Sequence, residues 1–256
     1  MSFSNPALVG SGCLSGQSIY SVVTTPVHIP GSRARLDDGR EFEYVRSKSA
    51  TAIGKGKLAT YDPIVAALDG IAVQASTAAG SMSLPVTVTA TLVANELLGA
   101  TVTTDDDAGE GVTYKIMGHA AHSSGTLTLL LDRGLEVSVT TSTTATIDPG
   151  PTSVKISAAV AAAALPVEVA AGVPLVDIGA GNTTPQYFWV QKTGRANVLF
   201  GTAVGAIGQP AYHGEDAGSF QVAVQTTAQA GRVHLGTIVA LLPVDTEYAT
   251  VALNIP

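Results

Sequence analysis

The sequence predicts an all-β fold, assembled from β-sandwich, jelly-roll-like or β-barrel modules behind an extended N-terminal arm. Three observations predict it. From residue 84 onward, β-branched and apolar residues alternate with polar ones in short runs, the period of a strand with one buried face. Gly and Pro, 27 and 13 of 256 residues, punctuate those runs, at a spacing of about 8 to 12 residues. Helical periodicity is weak everywhere, and the one helix candidate of note, residues 157–165 (SAAVAAAAL), is short and uniformly apolar, so its type stays open.

Residues 1–35 form the expected arm. They are rich in Ser, Gly and Pro, with one candidate strand at 19–25, and such a composition orders by lying across another surface. Residues 36–150 form the first β-rich domain. Asp38-Gly39 is a hairpin turn signal. The alternation that follows puts Phe42 and Tyr44 on one strand face and Glu41, Glu43 and Val45 on the other. Gly54 and Gly56 bracket a second turn. Residues 61–72 read as a loop with a short helical turn starting at Asp62-Pro63. Val86-Thr87-Val88-Thr89-Ala90-Thr91-Leu92 is the clearest strand, since Val and Thr suit a pleated surface. Further strands are expected at 100–104, 112–117, 126–131, 135–140 and 144–147. Asp148-Pro149-Gly150-Pro151 breaks the pattern. Residues 151–256 then make a second β-rich domain, or a continuation of the same body, with strands at 154–159, 167–170, 175–178, 186–191, 196–200, 221–226, 236–242 and 250–255.

Charge is sparse, with Asp, Glu, Lys and Arg at 13%, about half of ordinary usage. Seven of the thirteen cations lie in 33–57: Arg33, Arg35, Arg40, Arg46, Lys48, Lys55 and Lys57. With Asp37, Asp38, Glu41 and Glu43 the window is at +3, which leaves −10 on the remainder of a chain at −7. That balance argues against general nucleic-acid binding. No run of about 18 apolar residues escapes a charge, Pro or Gly, so no membrane span is expected. The first residues carry no basic segment and no compact apolar core and do not read as a signal peptide. One cysteine, Cys13, excludes an internal disulfide, so stability rests on packing or oligomerisation.

Catalytic and metal patterns are weak. His119 and His122 lie three apart in a loop-like context with no Cys partner, and exposed loop histidines are expected there rather than zinc. Asp105-Asp106-Asp107-Ala108-Gly109-Glu110-Gly111 is acidic enough for calcium but misses the EF-hand spacing, so an exposed turn is expected. No nucleophile elbow, Walker loop or dinucleotide-binding glycine pattern occurs. Two carboxylates from distant strands could serve glycoside hydrolysis, but aromatic platforms are few, and Tyr187-Phe188-Trp189-Val190 reads as a core or interface strand. The expectation is a protein that is not an enzyme and uses no cofactor and no metal.

Three segments together resemble the β-rich head decoration, or cement, proteins of tailed bacteriophages. The first is Asp38-Gly39-Arg40-Glu41-Phe42-Glu43-Tyr44-Val45 followed by Ala52-Ile53-Gly54-Lys55-Gly56-Lys57-Leu58. The second is Leu98-Gly99-Ala100-Thr101-Val102 leading through Gly109-Glu110-Gly111-Val112-Thr113-Tyr114-Lys115-Ile116. The third is Tyr187-Phe188-Trp189-Val190-Gln191-Lys192-Thr193-Gly194. They stand in the family's order and span most of the chain from residue 38; the first 30 residues carry none of it. The resemblance implies a non-enzymatic virion protein, made in the host cytoplasm. It would bind the major capsid protein on the outside of an icosahedral head, commonly as a homotrimer, and brace neighbouring capsomers. A fibre, tail or receptor-binding component is the alternative. The residues expected at the interface are Arg33, Arg35, Arg40, Phe42, Tyr44, Arg46, Lys48, Lys55 and Lys57.

Overall fold

The computed structural model describes all residues except 1–8, 11, 14–15, 160–167, 182–183, 202–205, 223–232 and 241–245. The described residues form strands and one short 3-10 helix, Gly150–Thr152, and no α-helix, as the alternation and the turn spacing predict. No helix among them is long and apolar enough to cross a membrane. In chain order the strands are β1 (Val9–Gly10), β2 (Gly12–Cys13), β3 (Arg33–Arg35), β4 (Glu41–Ser47), β5 (Ala59–Tyr61), β6 (Ile71–Ala72), β7 (Ser83–Val88), β8 (Thr101–Asp106) and β9 (Thr113–Gly118). They continue as β10 (Gly125–Leu131), β11 (Thr144–Asp148), β12 (Val154–Ile156), β13 (Ala170–Pro174), β14 (Gln186–Leu199), β15 (Pro210–His213), β16 (Phe220–Val222), β17 (His234–Ala240) and β18 (Tyr248–Asn254).

Two compact units result, and they are not simply consecutive. Unit 1 joins Met1–His28 and Ser32–Tyr61 to Ser153–Pro256, while unit 2 consists of Ile29–Gly31 and Asp62–Thr152. One boundary between the units falls between Thr152 and Ser153, and residues 32–61 belong with the C-terminal half rather than with 62–152. The reason lies in pairing: β5 has β12 and β13 as neighbours, and β4 has β14.

Unit 2 is a six-stranded antiparallel sheet in the order β6-β11-β8-β9-β10-β7. A bridge between Val73 and Val86 brings its two edges together, so the sheet closes as a small barrel. The alternation that predicts strands also fills it. Leu84, Val86 and Val88 of β7, Val102 of β8, Ile116 of β9, Leu127, Leu129 and Leu131 of β10 and Ile147 of β11 all point into one core. The strand expected at 135–140 is absent; Leu135 and Val139 are pinned by isolated backbone bonds to Ser81 and Thr77 instead.

Unit 1 holds two closed rings that share one long strand. The first runs β14-β13-β5-β12-β4 and returns to β14 through the β4–β14 pairing, in which Phe42 faces Gln191 and Tyr44 faces Trp189. Val45, Ile53, Ala59, Val154, Ala171, Ile178, Phe188 and Val190 fill it. The second runs β14-β18-β17-β15-β16, closed by a bridge between Phe200 and Phe220. Its core includes Val198, Phe200, Phe220, Ile238 and Val251. The sequence reads β14 as two strands, 186–191 and 196–200, split at 192–195. The chain instead runs through without a turn, and the pairing with β4 slips between Gln191 and Thr193. This bulge bends the strand from one ring into the other, the usual effect of an extra residue in a ladder.

Residues 17–28 are docked rather than free. Ile19, Ala34 and Leu36 cover the outer face of Phe42, Tyr44 and Trp189. Tyr44 Oη donates to Gln17 Oε1 at 2.7 Å and accepts from the Val27 amide at 3.2 Å. Gln17 Nε2 in turn donates to the Ser21 and Tyr187 carbonyls. The strand expected at 19–25 reduces to a bridge between Val23 and Tyr187. Residues 17–28 of the expected arm are thus a cover for the β4–β14 pair, while β1 pairs with β2 and β3; residues 1–8, 11 and 14–15 lie outside the described residues. So do 160–167, which hold most of the helix candidate at 157–165. The strand expected at 167–170 begins instead at Ala170, as β13.

Candidate functional site

The basic stretch separates into interior and surface. The expected alternation of β4 is present, since Phe42 and Tyr44 join one core and Val45 another. Both faces are nevertheless buried, because one looks into a closed ring and the other lies under residues 17–28 and 32–36. Phe42, Tyr44 and Arg46, expected at an interface, are buried within this chain instead. Arg33 and Arg35 point outward on β3 on either side of buried Ala34. Lys48 and Lys55 are exposed, and Arg40 and Lys57 are half-buried.

Glu43, expected on a charged outer face, is instead inside the first ring. Lys192 Nζ donates to Glu43 Oε2 at 3.1 Å, and the Tyr61 hydroxyl donates to Glu43 Oε1 at 3.0 Å. Lys192 Nζ also lies 3.4 Å from the Tyr61 oxygen and over its ring. The bulge in β14 presents Lys192 to this interior. Nothing local in the sequence marks the pair, whose members stand 149 residues apart.

Beside the same bulge lies a cleft of about 510 Å³, lined by residues from unit 1. Arg40, Lys55 and Arg195 all line it, together with Tyr20, Asn197 and Tyr248, and none of the described residues in the lining is Asp or Glu. Each cation is placed by a different local device. Arg40 follows the Asp38-Gly39 turn, where the Gly39 amide donates to the Leu36 carbonyl and the Leu36 amide to that of Arg40. Its guanidinium pairs with Asp38 Oδ2 at 2.7 Å. Burial opposes the Arg40 charge, but hydrogen bonds to Asp38 and Tyr20 outweigh this and raise its pKa. The Arg40 amide and guanidinium in turn hold the Asp38 carboxyl below its ordinary value.

Lys55 sits in the turn bracketed by Gly54 and Gly56, whose backbone is held by the Asp177 carboxylate on the Lys55 amide (2.9 Å) and by the Pro174 carbonyl on the Gly56 amide (2.9 Å). Gly56 has φ +73°, and a Cβ there would lie 2.5 Å from Tyr248 Cε1 and 2.8 Å from the Asn197 carbonyl oxygen. The absence of a side chain lets the Tyr248 ring come close to the turn, with its hydroxyl donating to the Lys55 carbonyl at 3.1 Å. Arg195 and Asn197 project from β14 just past the bulge. Gln191 stitches the bulge by donating from Nε2 to the Thr193 and Arg195 carbonyls. Of this cleft the sequence singles out Arg40 and Lys55. Arg195, Tyr20, Asn197 and Tyr248 carry no local signal, because only the ring closure brings them together.

The remaining candidates are structural. His119 is buried, not exposed: its Nε2 accepts from the Leu97 amide at 3.0 Å, so the Nδ1 proton goes to the Ala120 carbonyl at 2.7 Å. The His122 Nε2 reaches the Val88 carbonyl at 2.9 Å. In the acidic turn, Asp105 accepts from the Thr144 and Thr146 hydroxyls and Asp107 from that of Thr140. Among the described residues, no group of three or more His, Cys, Asp or Glu side chains is placed to hold a metal ion. No protein-family model matches the chain, and no curated protein or solved structure does either.

Proposed function

We propose that the chain is a structural virion protein, a decoration protein that binds the exterior of a tailed-phage capsid and braces neighbouring capsomers, without catalysis. One observation carries the reading. The first and third segments of the resemblance are the two strands of a single pair, β4 and β14, at the centre of unit 1. The second segment forms the β8–β9 hairpin of unit 2. Segments scattered in the sequence therefore coincide with elements that build the fold. The closed, weakly charged rings suit a rigid load-bearing role. The contacts with the major capsid protein would come from the exposed cations, Arg33 and Arg35 on β3 with Lys48 and Lys55, and from half-buried Arg40 and Lys57. Exposed pairs of this kind set register and encounter rate more than affinity. A stable contact needs a total buried area of about 1,200 Å² or more, which a homotrimer straddling capsomers would supply.

The test is to count copies in purified particles by quantitative gel and to place them by cryo-EM. Stoichiometric copies over the head surface are expected. A few copies confined to a tail or vertex would overturn the reading in favour of a fibre or receptor-binding component.

A further inference from the structure

Three cations lining one cleft on an acidic chain need an explanation that packing does not provide. Arg40 is held by Asp38, but among the described residues neither Lys55 nor Arg195 has an acidic side-chain partner, and the lining itself contains none. Charges of one sign, brought together from β14 and two separate turns, raise each other's energy unless an anion joins them. Arg195 and Lys55 are exposed and Arg40 half-buried, so an incoming carboxylate would lose little hydration before pairing with the guanidinium groups in a bidentate manner.

Two further features narrow the ligand. Gln191 lies behind the cleft wall, fully buried, with its Nε2 committed to two carbonyls, so it shapes the bulge and does not meet a ligand. Asn197 accepts from Thr250 at 2.7 Å through Oδ1, which leaves its amide hydrogens to donate outward. Tyr20, 55% exposed, offers an aromatic face beside Arg40, and Tyr248 is immobilised against Gly56. A carboxylate, ring hydroxyls and a flat apolar face belong together on a hexuronic acid ring. The cleft volume is also in the range of small-ligand sites, about 300–1,000 Å³.

We propose that this cleft binds the carboxylate-bearing units of an acidic saccharide, with Arg40, Lys55 and Arg195 on the carboxylate, Asn197 on a hydroxyl, and Tyr20 against the ring. Because Arg40 and Lys55 also belong to the proposed capsid contact, the proposal concerns the free chain; copy number tests the capsid reading, and ligand titration tests this one.

The experiment is calorimetric titration of the full chain at low salt with trigalacturonic acid, its neutral methyl ester, a hexaglutamate peptide and inorganic phosphate. The acid is expected to bind, the ester at least tenfold more weakly, and added salt to weaken the acid. Arg195→Gln and Lys55→Gln, both at exposed positions, should each cost about tenfold in affinity with an unchanged denaturation midpoint. Tyr20→Ala should weaken the sugar acid more than phosphate. No binding of trigalacturonic acid, equal binding of the ester, or indifference to both cation substitutions would overturn the site. Equal affinity for hexaglutamate or for phosphate would overturn the saccharide assignment, in favour of an acidic peptide or a simple anion respectively.

Discussion

Replacing Lys192 with Met tests whether the Glu43–Lys192 pair is as interior as its geometry implies. The Lys192 and Glu43 side chains are 7% and 6% exposed and meet at 3.1 Å. At an effective dielectric of about 20, two charges at that distance attract by about 5 kcal/mol. Desolvation offsets much of this, so the pair as a whole contributes little net stability. Breaking it is different. Lys192→Met leaves the Glu43 carboxylate inside the ring with the Tyr61 hydroxyl as its polar contact, and a stranded buried charge costs about 3–5 kcal/mol. Glu43→Gln strands the ammonium instead and should cost a similar amount. The double variant removes both charges, and the amide that replaces the carboxylate keeps an oxygen to accept from Tyr61, so it should lie within about 1–2 kcal/mol of the parent. Urea unfolding of the four proteins, followed by Trp189 fluorescence, closes the double-mutant cycle. If Lys192→Met costs less than about 1 kcal/mol, or if the two single losses simply add, the carboxylate reaches water and the description of this ring interior is wrong.

Two further predictions concern the turn and the pH response. Gly56→Ala should cost about 2–4 kcal/mol, because the φ of +73° disfavours a side chain and its Cβ would press on the Asn197 carbonyl and the Tyr248 ring. Gly39→Ala, where a Cβ meets open space, should cost about 1–2 kcal/mol; equal losses in urea midpoint would refute the contact. Acidification should destabilise in two steps. Burial lowers the His28 pKa below 6.5, so the folded chain holds fewer protons there than the unfolded one. That stabilisation is present above pH 6.5 and is lost as pH falls through the folded value. For Glu168, burial opposes the charge, but the Ala158 amide, Lys155 and the Thr60 hydroxyl outweigh it and hold the carboxyl below 4.5. Its contribution is present above that pH and is lost as pH falls through the folded value. Glu168→Gln should flatten the acid step and His28→Phe the step nearer neutral; a midpoint that ignores pH in the parent would refute both.

The balance between local and distant information is clearest along β4. The Asp38-Gly39 turn, the strand after it and the opposite faces of Phe42 and Val45 were all legible, since turn chemistry and two-residue alternation are properties of neighbouring residues. What each face meets was not. Glutamates at alternate positions read as a solvent face, yet Glu43 looks into a ring whose other wall, Lys192 on β14, comes from the far end of the chain. The same holds for the interface residues: exposure separates Arg33 and Arg35 from Arg46, although the three look alike in sequence.

From its residues alone, the chain determined an all-β architecture and the places of turns such as Asp38-Gly39. Those follow from backbone preference and local period. The tertiary structure decided the rest. It paired the segments on either side of 62–152 into a single unit, joined two expected strands into β14, laid residues 17–28 over the aromatic pair and brought three cations to one cleft. Each of these depends on which strand edges pair and in what register. That choice is made by ring closure between segments far apart in sequence, where burying both faces of β4 outweighs its local charge pattern.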